Sequence, residues 1–146
     1  GIDLTAGRDQ ARLMAEVIGR RVSQDYPRCK TDETAQAVSA KLAGSQWSEA
    51  MVTDAAGVYR GVLRVQDLIG QPHASAGDMM HTGHLVFETE TTIWEAMAAL
   101  KGFVGDAVPV VEPESGTLVG IVTETAIIET YLDLVHDLRR EENAAA

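Results

Sequence analysis

Side chains capable of chemistry are few in this chain, and they form no catalytic set. His81 and His84 stand three residues apart, a spacing that could hold a metal ion on a helix, but no cysteine or carboxylate is placed to complete the ligands. A loop with two solvated imidazoles is therefore the expectation. Cys29, the single cysteine, has no apparent base partner and is predicted to be a buried strand thiol. Without a nucleophile–base pair or a glycine-rich phosphate loop, the sequence argues against an enzyme.

Composition and charge limit the classes of partner. The 146 residues are 45% hydrophobic and 23% charged, which is typical of a globular chain. The net charge of −10 argues against nucleic acid as a partner, and no stretch is apolar for long enough to enter a membrane. Positive charge gathers near the start, so a basic patch for an anionic ligand could survive on an acidic body. The basic residues are Arg8, Arg12, Arg20, Arg21, Arg28 and Lys30.

An internal repeat determines which elements could position a ligand. The segment GVYRGVLRVQDLI at residues 57–69 reappears as GTLVGIVTETAII at residues 116–128, and residues 31–34 fall on residues 89–92. A repeat of this length predicts two supersecondary units that complete each other's core. The predicted organisation is a linker segment at 1–17, a first unit at 18–72, a second unit at 73–138 and a disordered tail at 139–146.

Each unit is predicted to run strand, helix, strand, strand, helix, which indicates an α/β fold with a small mixed sheet. Strands are expected at 28–30, 50–53 and 59–63 in the first unit, and at 85–87, 108–111 and 118–122 in the second. A linker helix is expected at 9–17, and a connecting linker at 70–77. Thr92 and Glu95 form a capping-box signature. The extended last helix carries a wide apolar stripe, which predicts contact with a partner subunit. Its members are Ile127, Ile128, Tyr131, Leu132, Val135 and Leu138.

The order of these motifs resembles a known family. VPVV at residues 108–111, a glycine-containing turn and LVGIVT at 118–123, preceded by Thr92 and Ala96, resemble the CBS domain. The duplication is similar to a CBS pair, or Bateman module. This resemblance implies two βαββα units packed about a pseudo-twofold axis, with clefts that often bind adenosine-containing ligands. No cofactor is expected on this basis. The candidate regulatory ligand is AMP, ADP or ATP.

The resemblance also implies ligand residues, which this sequence keeps only in part. In the family, a Thr or Ser at a strand-to-helix junction contacts phosphate, and an Asp three residues later contacts ribose. The second unit has Thr123 but Ala126 in place of the acid, and the first has Asp67 but Arg64 in place of the hydroxyl. Arg64 could replace the hydroxyl through a bidentate phosphate contact. Alternatively, Thr123 is a helix N-cap, Asp67 a solvated carboxylate and Arg64 a surface residue. Val86 and Pro109 complete the predicted ligand-binding set.

The first residues suggest a host. Gly1–Leu4, followed by Gly7–Gln10, are similar to the linker after the last membrane helix of bacterial ClC chloride channels and transporters. The leading hypothesis is therefore a non-enzymatic cytoplasmic CBS pair of such a protein, attached to its membrane-embedded transport domain and dimerising through CBS helices. The alternatives are another host, such as a metal-ion efflux protein or a stand-alone nucleotide sensor, and a ligand-free dimerisation scaffold.

Overall fold

The computed structural model describes residues 11–145, and its first sheet follows from the first repeat. β1 (Arg28–Lys30) lies parallel to β2 (Glu49–Thr53), and β2 is antiparallel to β3 (Tyr59–Arg64). The crossover between β1 and β2 is α1 (Ala35–Ala43), which begins where the Thr34 hydroxyl accepts the Ala37 N–H and ends at Gly44. A 3₁₀ helix (Val65–Leu68) and the short α2 (Ala76–Met79) follow β3. The order of the elements matches the strand and helix prediction for this unit.

The second sheet repeats this plan. β4 (Phe87–Glu88) is parallel to β5 (Val108–Val111), and β5 is antiparallel to β6 (Leu118–Val122). The crossover helix α3 (Ile93–Ala99) begins at the predicted capping box, and the final helix is α4 (Glu124–Ala145). The Thr92 amide and hydroxyl both donate to Glu95, and these two bonds lower the pKa of that carboxyl.

The segment that leads each repeat packs on the sheet of the other repeat. The 3₁₀ helix Ile18–Arg21 lies on the second sheet, where the Ile18 amide donates to the Thr91 carbonyl at 2.7 Å. In the equivalent contact on the first sheet, the Ala76 amide donates to the Glu33 carbonyl at 2.8 Å. Farther along, Ser23 bridges to Ile121 and His81 bridges to Val62. Each sheet is therefore covered by the segment that precedes the other repeat along the chain, and we call these the exchanged segments. The boundaries 18–72 and 73–138, expected from the repeat, assign each of these segments to its own repeat.

The two sheets join edge to edge about the pseudo-twofold axis. The Tyr59 amide donates to the Gly116 carbonyl and the Leu118 amide donates to the Gly57 carbonyl, both at 3.0 Å. A shared apolar cluster fills the space between the sheets, and it takes residues from both halves. Its buried members include Met51, Val62, Val111, Leu118 and Ile121. The predicted α/β class, with two βαββα units packed by pseudo-twofold symmetry, is confirmed.

Three predicted local features differ from the structure. Leu85 and Val86 precede β4, which comprises only Phe87 and Glu88. Residues 76–77 belong to α2 rather than to a linker, because Ala76 is buried against the first sheet. Of the predicted linker helix, residues 11–15 are helical, residues 9–10 lie outside the described residues, and Val17 instead bridges to Thr92.

The predicted disordered tail is wrong for residues 139–145, because α4 continues to Ala145. Leu134 and Leu138 are buried, which extends the packed face of the helix beyond the repeat. Near its end, Glu141 pairs with Arg12 at 3.6 Å, and alanine favours continuation of the helix. No helix within residues 11–145 combines the length and the apolar character that a membrane crossing requires.

Candidate ligand cleft

An open cleft of about 300 Å³ lies where the two halves meet. We call the body built on β1–β3 the first lobe and the body built on β4–β6 the second lobe. The first lobe contributes residues from the start of β2 and the end of β3, and the second contributes the loop before β5. The lining residues are Ser48, Glu49, Arg64, Gln66, Val104, Gly105 and Asp106. A molecule in this cleft would therefore touch both lobes.

Hydrogen bonds between the lobes form one wall of the cleft. Asp106 Oδ2 accepts from the Ser48 amide at 2.8 Å and from the Ser48 hydroxyl at 2.6 Å. In return, the Asp106 amide donates to Glu49 Oε1 at 2.5 Å. Bonds to a carboxylate are among the stronger hydrogen bonds in proteins. This wall ties the position of the loop before β5 to the start of β2.

Glu49 and Arg64 supply the charge in the cleft. They are cross-strand partners at the ends of β2 and β3, and Arg64 Nε lies 3.6 Å from Glu49 Oε2. The Glu49 side chain is only 4% exposed, whereas that of Arg64 is 37% exposed. Within the described residues, Glu49 Oε2 has no hydrogen-bond partner. Burial, and then the nearby Glu49 charge, raise the pKa of Tyr59 to about 12. The cleft therefore presents a half-exposed guanidinium, with the Glu49 carboxylate buried beside it.

Asp67 lies beside this cleft but does not line it. Its Oδ2 accepts from the Arg64 amide at 3.1 Å and lies 2.8 Å from His81 Nε2. Asp67 is therefore a partly buried carboxylate with protein partners, and His81, although 45% exposed, is held by Asp67. His84 Nε2 lies 3.1 Å from the Ala107 carbonyl oxygen, and its ring packs edge-on against Phe103. Among residues 11–145 no three His, Cys, Asp or Glu residues are grouped to hold a metal ion.

The other predicted ligand residues lie away from the Arg64 cleft. The Thr123 hydroxyl accepts the Ala126 N–H at 3.1 Å, so this residue is the N-cap of α4. The N-cap was one of two interpretations offered for Thr123, and the other was a contact with a ligand phosphate. Val86 is half-buried against the cluster between the sheets, and Pro109 is buried in β5 opposite Ile121. The structure thus places only Arg64, from the predicted set, in the lining of the cleft.

The pseudo-symmetric counterpart of this cleft is smaller and shallower. Residues 46–48 of the first unit correspond to residues 104–106 of the second, so Trp47 stands where the Arg64 cleft has Gly105. The depression beside Trp47 holds about 240 Å³ and is lined by Gln46, Trp47 and Asp106. Neither Trp47 nor the Ser48–Asp106 pair was a predicted site residue. Ser48 and Asp106 are 58 residues apart, so they occupy equivalent positions in the two units. This equivalence is the sequence signal that could have indicated a contact between them across the pseudo-twofold axis.

Cys29 is expected to be chemically inert in the folded protein. Its side chain is 3% exposed in β1, and burial, followed by the Glu33 charge, raises its pKa to about 12. Because the thiolate is the reactive form, we expect native protein at pH 8 to react with a disulfide reagent about 100-fold more slowly than urea-unfolded protein. Absorbance of the released thiol measures both rates. Equal rates in the two states would show that Cys29 is accessible in the native fold.

Known proteins share both the sequence pattern and the fold. Residues 76–133 match the family model of the CBS domain, whereas no curated protein matches the chain. A CBS domain pair/ACT domain protein from Thermotoga maritima has 23% identity and a TM-score of 0.72, over 80% of this chain and 97% of the other. The cytosolic domain of the Mg²⁺ channel MgtE in complex with ATP has 25% identity and a TM-score of 0.70, over 84% of this chain and 52% of the other.

A third structure extends the similarity to nearly the whole chain. CbpB in complex with c-di-AMP has 16% identity and a TM-score of 0.76, and the alignment covers 92% of this chain and 97% of the other. Identities at this level show a shared fold. The family match of residues 76–133, the duplicated architecture of the two lobes and these structural similarities together support a CBS domain pair.

Proposed function

We propose that the chain is a non-catalytic regulatory module, and that an adenine nucleotide bound in the Arg64 cleft controls how its two lobes sit against each other. The observation that carries this proposal is the lining of the cleft from both lobes around a charged pair. The guanidinium of Arg64, whose side chain is 37% exposed, offers donors to a phosphate.

Two of the similar structures support the class of ligand. The MgtE cytosolic domain was solved with ATP, and CbpB was solved with c-di-AMP. Both ligands contain phosphate, the group that the Arg64 guanidinium would recognise. Regulation requires that the nucleotide bind one arrangement of the lobes more tightly than another. The walls from both lobes support this proposal, because a shift between Ser48 and Asp106 would change the shape of the cleft.

Calorimetric titration with AMP, ADP and ATP tests the proposal. Arg64→Lys keeps the positive charge beside Glu49 but loses the planar fork of donors, so we expect nucleotide binding to weaken about tenfold. Arg139→Lys, the same change on the exposed face of α4, is the matched control and should leave affinity unchanged. Binding that Arg64→Lys does not alter would place the nucleotide elsewhere.

A ligand-free scaffold is the second candidate function, and a specific observation favours it. The Thr123 hydroxyl is engaged in capping α4, and the Asp67 carboxylate is engaged with the Arg64 amide and His81. Both of the family-like ligand groups thus already have partners inside the protein. The same titration separates the candidates, because a scaffold gives no saturable heat. A thermal-unfolding scan is a second check, since a scaffold shows no rise in Tm when nucleotide is added.

For the host, we propose a membrane transport protein of the ClC type, with the module on the cytoplasmic side of the membrane and dimerising through its helices. The resemblance of residues 1–10 to a ClC linker supports this host, and exposed Ile128 and Leu132 on α4 support a helix-mediated dimer. A metal-ion transporter is the alternative, supported by the similarity to MgtE. The coding sequence directly before Gly1 distinguishes them, since a ClC host requires a long apolar helix there.

A further inference from the structure

A second cavity, of about 450 Å³, lies at the outer edge of the first sheet, between α1 and the turn that joins β2 to β3. It shares no lining residue with the Arg64 cleft. Five charged side chains line it, three of them cationic, in a protein whose net charge is −10. The charged residues are Arg28, Lys30, Glu33, Lys41 and Asp54. Two of these residues, Arg28 and Lys30, belong to the basic patch that the sequence predicts near the start of the chain.

Glu33 is already neutralised by groups of the protein. Its Oε1 lies 2.6 Å from Lys41 Nζ, and its Oε2 accepts the Lys30 amide at 2.6 Å. Partial burial alone would raise the pKa of Glu33, but the bonds from Lys41 and the Lys30 amide outweigh it and lower the pKa. Glu33 and Lys41 therefore cancel each other as charges in the cavity.

Asp54 is neutralised in the same way from the other side. Its Oδ1 accepts the Ala56 and Val58 amides at 2.9 and 3.0 Å, and its Oδ2 accepts Arg60 Nε and Nη2 at 3.1 and 2.8 Å. The Val58 amide and the Arg60 guanidinium lower the pKa of Asp54, so the carboxylate is ionised and fully engaged. Both acids of the cavity thus have direct cationic partners, and the Lys30 charge makes only the smallest of the contributions that lower the pKa of Glu33.

The remaining cations of the cavity are Arg28 and Lys30. Both are exposed, and they flank the buried Cys29 on one face of β1. The rise of a parallel strand places residues i and i+2 roughly 6.6 Å apart. In the described part of the chain, neither side chain pairs with a carboxylate within 4.0 Å, and the Arg28 guanidinium lies over the Tyr26 ring at 5.9 Å. Two cationic side chains thus line the cavity from backbone positions of fixed spacing.

The backbone of β1 excludes a peptide strand as the occupant. Its outer edge would present the Lys30 amide and the Arg28 carbonyl to an added strand. The Glu33 carboxylate accepts that amide, and Lys41 Nζ donates to that carbonyl at 3.0 Å. Because these groups already have partners, pairing with a further strand is blocked. The cavity instead offers side-chain cations to a compact anion.

We infer that this cavity is a second binding site, for a small molecule that carries two linked phosphates. Arg28 would take one phosphate through its planar fork, and Lys30 would take the other as a point charge. The two linked phosphates could belong to inorganic pyrophosphate or to a nucleoside diphosphate, and their shared chemistry is what the site recognises. The inference does not depend on nucleotide binding in the Arg64 cleft, because the two sites share no residue.

Calorimetric titration of the full chain with pyrophosphate and with ADP tests this site. The double variant Arg28→Gln/Lys30→Gln should weaken pyrophosphate binding more than about tenfold, because it removes both charge-assisted contacts. The double variant Lys101→Gln/Arg139→Gln makes the same change of charge at exposed positions elsewhere and should bind like the unmodified chain. In the Arg64→Lys background, a stronger response to ADP than to pyrophosphate that is lost in the further variant Arg28→Gln/Lys30→Gln would assign a nucleoside diphosphate as the source.

Further variants separate this site from the cleft and from a folding defect. Exchanging the two cations, in Arg28→Lys/Lys30→Arg, keeps both charges and should retain pyrophosphate binding. Arg64→Lys should leave it unchanged, even where the same variant weakens AMP binding in the cleft. The site is ruled out by any of three results: no saturable pyrophosphate binding, equal binding by the Arg28→Gln/Lys30→Gln and control variants, or loss of binding in Arg64→Lys.

Discussion

Replacing Gly61 with alanine is expected to lower the free energy of unfolding by about 2–3 kcal/mol, since an extra methyl would be forced into a packed contact. A Cβ on Gly61 would lie 2.6 Å from the His81 carbonyl oxygen and 3.1 Å from Met80 Cγ and Sδ. The Met80 side chain can rotate away, but the His81 oxygen is a backbone atom. It accepts the Val62 amide at 3.0 Å, so moving it breaks the bridge that holds the exchanged segment on β3.

Urea unfolding followed by circular dichroism measures this effect, and a fall in Tm of about 5–10 °C should accompany it. Gly83→Ala is the matched control, because nothing lies within 4 Å of the Cβ that it would add. The control should change stability by no more than about 0.5 kcal/mol. If both variants were equally stable, the close packing of residues 80–81 on β3 would not describe the protein in solution.

The elements of the fold are largely predictable from local sequence signals. Short apolar runs bounded by turn residues indicated the strands, and the start of α3 followed from the Thr92 hydroxyl, which accepts an amide of the first turn. Thr34 caps α1 in the same way, although it was not predicted as a cap. The second-unit strand expected at 85–87 was displaced because β4 is only two residues long and carries little periodic signal. The charged residues at 139–142 give no apolar signal for a helix, but they continue a helix that the buried Leu134 and Leu138 anchor.

The exchange of the leading segments could not be predicted from periodicity. Residues 76–77 have the composition of a linker, and only the long-range contacts of Ala76 with the first sheet make them part of α2. The same limit applies to the cleft. The sequence indicated Arg64 and Asp67 as neighbours along the chain, but the position of His81, brought in by the exchanged segment, decides that Asp67 is engaged. Ligand binding by Arg64, Asp67, Thr123, Val86 and Pro109 stays a prediction.

Glu49 shows why a buried charge is hard to recognise in a sequence. It begins a strand whose next residues are apolar, and its charge alone would suggest an exposed position. In the structure it is the cross-strand partner of Arg64, and the second unit has Ala107 and Thr123 at the equivalent positions. The acid and the arginine therefore occur together in the first unit, and neither has a charged counterpart in the second. This pairing predicts that the two side chains depend on each other energetically.

Replacing Arg64 with methionine is therefore expected to destabilise the fold by about 2 kcal/mol at pH 7, because it leaves the Glu49 carboxylate buried without the cation beside it. Loss of one partner from a fully buried pair costs more than this, but the Arg64 side chain is 37% exposed and solvent screens part of the interaction. Glu49→Gln removes the charge but keeps Oε1 as an acceptor for the Asp106 amide.

The double variant Glu49→Gln/Arg64→Met should accordingly regain at least about 1 kcal/mol relative to Arg64→Met alone, since no buried charge is left unpaired. Urea unfolding of the four proteins in the double-mutant cycle gives the coupling energy directly. Strictly additive effects would mean that Arg64 does not stabilise the Glu49 charge. In that case the 3.6 Å approach of the two side chains would have no energetic role, and Arg64 would be free to turn entirely toward a ligand.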